Sequence, residues 1–351
     1  MLMIKSYYKN WELNLILLLI MTIILSSLIS PMYLDTYQIL YSLQQTMAIT
    51  SILSIGLMFI ILVGEIDISI PAILAVGTVS FARLSQRNVP FLLALIIVLG
   101  FTTVAGLFNG ILIVRFKLPS MAVTLGMSGV YRALALKIGG IEGFDASTFK
   151  EMYIWIGSKY LLEVIPLSLI LITILLSISW IVVHKTILGR LLFSIGNNRE
   201  ATYLSGYNIK SIIVASYGIA GFLSGVGALV YIGQYQSARA DNVANILLHV
   251  VACVALGGFS LSGGKGNVHG LILSILILGT IQNGMGLANI SGPVQTLIIG
   301  IILIITIVTP VIIDNIKEIL NRKNLIVIKT ISVYKNLNKP VEEQVKGEKN
   351  G

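Results

Sequence analysis

Apolar residues run along this chain in long blocks, and the polar positions fall in short stretches between them. The blocks cover 13–30, 46–63, 70–81, 91–114, 120–138, 161–183, 211–233, 246–261, 268–288 and 293–313. Most approach the ~20 residues an α-helix needs to cross ~30 Å of hydrocarbon. A segment alone in lipid can satisfy its backbone only as a helix. The pattern predicts an all-α integral membrane protein of about ten transmembrane helices. It sets an N-tail over 1–12, a transmembrane domain over 13–313 and a C-tail over 314–351. Lys5 and Lys9 before the first block resemble the start of a signal peptide. That block is long, however, and no A-x-A-like cleavage site follows, so a retained first span is expected.

Composition narrows the class. Hydrophobic residues make up 56% of the chain and charged ones 11%, with mean hydropathy +0.92. A soluble domain carries about 25% charged residues, so this chain cannot cover a water-facing surface. A net charge of +9 would suggest nucleic acid in a soluble protein. Here the basic residues collect in loops and tails, so the expected surroundings are a lipid membrane and no nucleic acid. With the N-terminus inside, all but seven of the 24 Lys/Arg lie on the inner side. The exceptions are Arg83, Arg87, Arg132, Lys137, Lys150, Lys159 and Arg239. Excess Lys/Arg marks cytoplasmic loops, which places both termini in the cytoplasm. Small residues repeat closely over 218–227 (GIAGFLSGVG), the composition that lets helices pack closely in lipid. One cysteine, Cys253, and three scattered histidines, His184, His249 and His269, show no metal-ligand spacing.

The stretch 184–210 is polar between two greasy blocks and carries Lys185, Arg190, Arg199 and Lys210 against one acid, Glu200. It is expected in the cytoplasm, as the docking site of a soluble, energy-supplying partner. The glycine-rich run LGGFSLSGGKGNVHG at 256–270 fails the P-loop pattern. Phe259 stands where the first glycine should be, and Gly266 follows Lys265 in place of Ser or Thr. It fails the dinucleotide pattern too, with His269 at the third glycine. A tight turn built on Gly257, Gly258, Gly263, Gly264 and Gly266 is the expectation. No cofactor is assigned to this chain.

Charged and amide side chains inside or between spans are the candidates for a translocation path. Glu65 and Asp67 lie between two apolar blocks, either at the inner interface or facing a polar cavity. Arg239 and Asp241 fall on the opposite side, paired locally or lining a mouth. Asn109, Gln282 and Asn283 sit within spans, as interhelical glue or as hydrogen-bonding groups toward a substrate. No Ser-His-Asp order, HExxH motif or heavily charged span is present, so an enzyme or an ion pump lacks its chemistry.

These residues carry a resemblance. GEIDIS at 64–69 resembles the G-G-I-D-[LIV]-S signature of ribose-type permeases, the membrane subunits of ATP-binding-cassette sugar importers, with Glu65 at the second glycine. GRLLFSIGNNREATYLSGYNIK resembles that family's cytoplasmic segment at Gly189, Arg190, Gly196, Asn198, Ala201 and Gly206, with Thr202 and Tyr207 as departures. VALGGFSLSGGKGNVHG resembles its glycine motif, with Asn267 at a small hydroxyl position. The resemblance covers about 40–309 and implies a type II-like ABC importer permease fold. The partners it implies are a second permease copy or paralogue, two cytoplasmic ABC ATPase domains that use the ATP, and an extracytoplasmic sugar-binding protein. The site is the bacterial cytoplasmic membrane. It also implies a coupling helix within 184–210, with Arg199 beside the matched positions. A bulky residue at Gly196 or Gly206 is then expected to uncouple transport without unfolding the chain. YQSARAD resembles the autoinducer-2 and rhamnose branches, so ribose, rhamnose and autoinducer-2 are the candidate sugars. A branched-chain amino-acid permease, an ATP-independent secondary transporter and a non-transporting scaffold are the alternatives.

Overall fold

The computed structural model describes residues 2–35, 39–41, 43–241, 243, 245–309 and 312. The chain divides into two compact units, Met1–Leu303 and Ile304–Gly351. In the second unit the described residues are 304–309 and 312, and the expected C-tail at 314–351 lies outside them. The site described below belongs to the first unit.

Helices appear at all ten expected positions: α1 (Leu2–Ile29), α2 (Ala48–Leu62), α3 (Ile70–Gln86), α4 (Phe91–Phe116) and α5 (Ser120–Gly139). After a short α6 (Glu151–Ser158) come α7 (Leu167–Lys185), two further short helices α8 (Ile187–Asn197) and α9 (Arg199–Leu204), and α10 (Ile209–Tyr235). The last three are α11 (Ile246–Leu256), α12 (Val268–Leu287) and α13 (Gly292–Thr309). Seven of the helices are long and apolar enough to cross a membrane. Of the remaining expected spans, α3 has 17 residues, α5 has 20 and α11 has 11. The GEIDIS break shortens α3, Arg132 and Lys137 lower the hydropathy of α5, and the glycine turn cuts α11 short. The N-tail is already helical from Leu2.

Two expected boundaries move. The block at 161–183 starts its helix only at Leu167, because Tyr160–Leu161 pairs with Ile165–Pro166 as a two-stranded hairpin. Leu162 and Glu163 turn that hairpin at φ 52° and 60°, a conformation no helix contains. The block at 246–261 ends its helix at Leu256, where Gly257 and Gly258 reverse the chain. Apolar composition continues through both turns, so hydropathy alone cannot locate them.

At the centre, α2 is buried along its whole length, and α10 packs on α2, α3, α4 and α6. The small residues of 218–227 press into α4. A Cβ on Gly221 would lie 2.3 Å from the Thr102 carbonyl oxygen, and one on Gly106 would lie 2.2 Å from that of Tyr217. In lipid such backbone contact takes the place of hydrophobic burial as the force between helices. Exposed apolar side chains, such as Leu17, Leu92, Val104 and Ile178, sit on α1, α4 and α7, where lipid is the expected neighbour.

Candidate functional site

The three matched motifs meet at one point, on the face that carries the basic loop. Gly64 follows α2 at φ +75° and begins the break before α3. A Cβ on Gly196 would lie 2.1 Å from the Gly264 nitrogen and 2.1 Å from the Leu62 carbonyl oxygen. A Cβ on Gly263 would lie 2.7 Å from the Gly64 backbone and 3.0 Å from Gly196. The Gly264 N–H donates to Leu62 O at 3.0 Å, and Asn197 Nδ2 donates to Gly264 O at 3.1 Å. Backbone therefore meets backbone among α8, the α2–α3 break and the turn after α11. The geometry corrects the expectation for Gly196: a side chain there has no room, so a bulky substitution disturbs packing as well as coupling. Gly206 differs, since it ends α9 at φ +84° with no atom within 4 Å of a built Cβ.

Arg199, the first residue of α9, reaches into the same junction. Its Nη2 donates to Glu65 Oε1 at 2.6 Å and to Val63 O at 2.9 Å. Beside the pair lies a cavity of about 470 Å³, lined by Lys117, Pro119, Gly196 and Ser262 among others. Local chemistry shapes the two short helices. Thr186 caps α8 by accepting from Gly189 N–H at 3.3 Å, and Asn198 caps α9 by accepting from Ala201 N–H at 2.9 Å. Such capping satisfies N–H groups a helix start would leave orphaned. Gly189 packs so closely that a Cβ would lie 2.0 Å from Val183 O. Arg190 is exposed, as are Tyr203, Leu204 and Tyr207, so this basic loop carries uncovered apolar surface.

Asp67 and Asn109 join a buried hydrogen-bonded chain. Tyr131 O–H donates to Asn109 Oδ1 at 2.9 Å, Asn109 Nδ2 to Ser69 Oγ at 2.7 Å, and Ser69 Oγ to Asp67 Oδ1 at 2.6 Å. Around it, Ser120 and Thr124 accept from Ile66 and Ile68 N–H, and Tyr217 O–H donates to Ile66 O. Irregular backbone at membrane depth persists only where protein or water re-satisfies it. Ser120 and Thr124 from α5 and Tyr217 from α10 do so here. Nothing in the spacing of Ser69, Ser120, Thr124, Tyr131 or Tyr217 singled them out.

On the opposite face, Phe144 and Ala238 exchange two backbone hydrogen bonds of 3.0 Å. Beside this bridge lies an open polar cavity of about 630 Å³, lined by Arg83, Gln86, Glu142, Ser147, Gln236 and Arg239 among others. Arg239 Nε lies 3.1 Å from Asp241 Oδ1, and this hydrogen bond holds the exposed carboxyl below its usual range. Gln282 is half-buried beside His249 and Cys253, while Asn283 is buried with Nδ2 unpartnered among the described residues. The fold also stacks the His184 and His269 rings, 6.2 Å apart and 13° from parallel. Glu12 lies 3.9 Å from His269 and accepts from Asn267 Nδ2. Their separation in sequence hid this cluster. Among the described residues no group of His, Cys, Asp and Glu could hold a metal ion.

A helical multi-pass membrane protein, with a backbone junction tying a basic helical loop to a buried span break, is the class this arrangement defines. Residues 39–307 match the family described as "Branched-chain amino acid transport system / permease component", and the chain belongs to it. Among curated relatives, the "Ribose import permease protein RbsC" of Bacillus subtilis (strain 168) is 33% identical over 278 residues, 78% of this chain and 85% of that protein. That of Haemophilus influenzae is 29% identical, covering 77% and 83%. The "Autoinducer 2 import system permease protein LsrD" of Escherichia coli (strain K12) is 30% identical over 302 residues, 85% and 91% of the two chains. No solved structure matches the chain.

Proposed function

We propose that this chain is the membrane-spanning permease of an ATP-driven importer that carries a small sugar into the cell. The chain is a sugar-importer permease in preference to an amino-acid one, as its relatives are named for ribose and autoinducer-2. The observation that carries the mechanism is the junction of Gly64, Gly196 and Gly263. A partner ATPase pressing on α8 and α9 would move the α2–α3 break with almost no intervening side chain to absorb the motion. Tyr203, Leu204 and Tyr207 supply the apolar contact for that ATPase, since soluble surfaces rarely leave such groups uncovered without a partner. Two ATPase domains, a second permease copy or paralogue and a sugar-binding protein on the opposite face complete the assembly. ATP is bound and hydrolysed by the partner.

The basic loop and both termini face the cytoplasm in this reading, because the Lys/Arg asymmetry favours it. The open cavity beside Phe144 and Ala238 then faces outward, beneath the docked binding protein. Ribose, rhamnose and autoinducer-2 are the candidate cargoes.

The test is ATP hydrolysis by the permease reconstituted with its ATPase, with binding proteins loaded in turn with ribose, rhamnose and autoinducer-2. Stimulation by one loaded protein, with uptake of its sugar, is the expected result. Uptake that persists without the ATPase would replace this reading with a secondary transporter.

A further inference from the structure

The turn between α4 and α5, residues 115–119 (RFKLP), takes no part in the backbone junction but forms a wall of the cavity of about 470 Å³ beside it. Lys117, Leu118 and Pro119 line that cavity together with Gly196, Arg199 and Ser262. All five residues of the turn are exposed, Phe116 at 62% and Leu118 at 46%. The turn nevertheless holds one shape. Lys117 ends α4 at φ 54°, an uncommon conformation for a residue other than glycine, and the N–H groups of Lys117 and Leu118 both donate to Ile113 O. Just beyond it, Ser120 and Thr124 accept from Ile66 and Ile68 N–H, so the start of α5 is bonded to the α2–α3 break.

The charge on these walls is one-sided. Residues 115–119 and 184–210 carry Arg115, Lys117, Lys185, Arg190, Arg199 and Lys210 against the single acid Glu200. Glu65 is the one acid lining the cavity, and its Oε1 is taken by Arg199. Among the described residues the Lys117 ammonium has no ion-pair partner. We propose that the cavity is a socket for an acidic side chain of the partner ATPase, which pairs with Lys117 while Phe116 and Leu118 cover apolar surface beside it. An anionic lipid headgroup would also suit Lys117. The other walls, however, are Gly196, Arg199 and Ser262, which belong to the junction and not to the helices that face lipid, so a protein side chain is the occupant they favour. The inference rests on the importer reading and adds an ATPase contact outside 184–210. Motion of the ATPase then reaches the α2–α3 break by two routes, through Gly196 and through Ser120 and Thr124.

The experiment measures binding of the ATPase to the whole permease in detergent micelles at rising salt. Lys117→Gln should weaken binding about three- to fivefold at low salt, the range of a partly exposed ion pair, and flatten its salt dependence. Lys117→Glu should weaken it about tenfold, since like charges then face each other, and Lys117→Arg should bind normally. Exchanging one Asp or Glu of the ATPase for Lys, found by scanning its acidic residues, should restore binding to the Lys117→Glu permease. Lys210→Glu, in the same basic set but outside the cavity lining, controls for diffuse attraction. Thermal unfolding in the same detergent should be unchanged, because Lys117 is exposed; should Lys117→Glu unfold, Lys117→Gln decides. Normal binding by the charge-changed permease would overturn the socket, as would an equal loss in Lys210→Glu with no restoring change on the ATPase. So would a loss that appears only when anionic lipid is added, which would assign Lys117 to a headgroup. Binding absent even for the unsubstituted chain would overturn the importer reading and this one with it.

Discussion

Arg199 holds Glu65 at 2.6 Å, so the first residue of α9 is fastened by charge to the break between α2 and α3. The Glu65 side chain is 10% exposed and that of Arg199 48%. The same guanidinium nitrogen donates to Val63 O at 2.9 Å. A hydrogen bond to a charged group contributes ~1.5–3 kcal/mol, and the half-exposed arginine puts this one toward the lower end. Arg199→Ala should leave Glu65 nearly buried without its partner and reduce sugar-stimulated ATP hydrolysis severalfold. Exchanging the two as Glu65→Arg with Arg199→Glu should restore part of it, because the ion pair returns but the bond to Val63 does not. Hydrolysis as high in Arg199→Ala as in the unsubstituted complex would rule the pair out of coupling.

Gly196 and Gly206 should behave differently although both lie in the coupling segment. Gly196→Val has to push apart Gly264 and Leu62, so a lower thermal unfolding temperature in detergent and poor assembly are expected. Gly206→Ala meets no atom and incurs only the left-handed backbone penalty, about 1–2 kcal/mol, confined to an exposed turn. Its transport should remain close to normal. A Gly196→Val protein that melts normally would contradict the contact geometry.

The buried chain Tyr131–Asn109–Ser69–Asp67 predicts a graded loss of stability. Asn109→Leu removes two hydrogen bonds, while Tyr131 O–H keeps the Ala105 carbonyl oxygen and Ser69 Oγ keeps Asp67, and should cost about 1–3 kcal/mol. Tyr131→Phe removes one donor and should cost ~1 kcal/mol. Thermal unfolding of the two variants in one detergent measures the difference. Equal midpoints would mean that the network holds nothing.

Tyr203→Ser together with Leu204→Ser removes exposed apolar surface from α9 without touching the junction. The double variant should fold and reach the membrane normally but lose co-purification with the ATPase. ATPase recovered in normal amounts would place the docking surface elsewhere.

Much of this was legible in the sequence, for identifiable reasons. The ten helical positions follow from apolar blocks, because lipid forces each block to satisfy its own backbone. The interior contacts follow less readily. Glu65 and Arg199 each stand out in the sequence, yet they are 134 positions apart and nothing in their spacing joins them. Asp67 and Asn109 read as path candidates on polarity alone. The structure spends their hydrogen bonds on Ser69 and Tyr131, residues common enough to pass unnoticed. His184 and His269 look scattered because only the packing of α7 against α12 brings their rings together.

The contact among Gly64, Gly196 and Gly263 also bears on how this protein can vary. Three stretches of chain far apart in sequence come within a carbon atom's width of one another. A side chain on Gly263 would press on the Gly64 and Gly196 backbone, one on Gly196 on that of Gly264 and Leu62, and one on Gly64 would sit 3.1 Å from Ser262 O in a left-handed conformation. Single substitutions there meet a wall on every side. Drift is open to the surrounding loops, but these positions can change only together or through displacement of a whole helix.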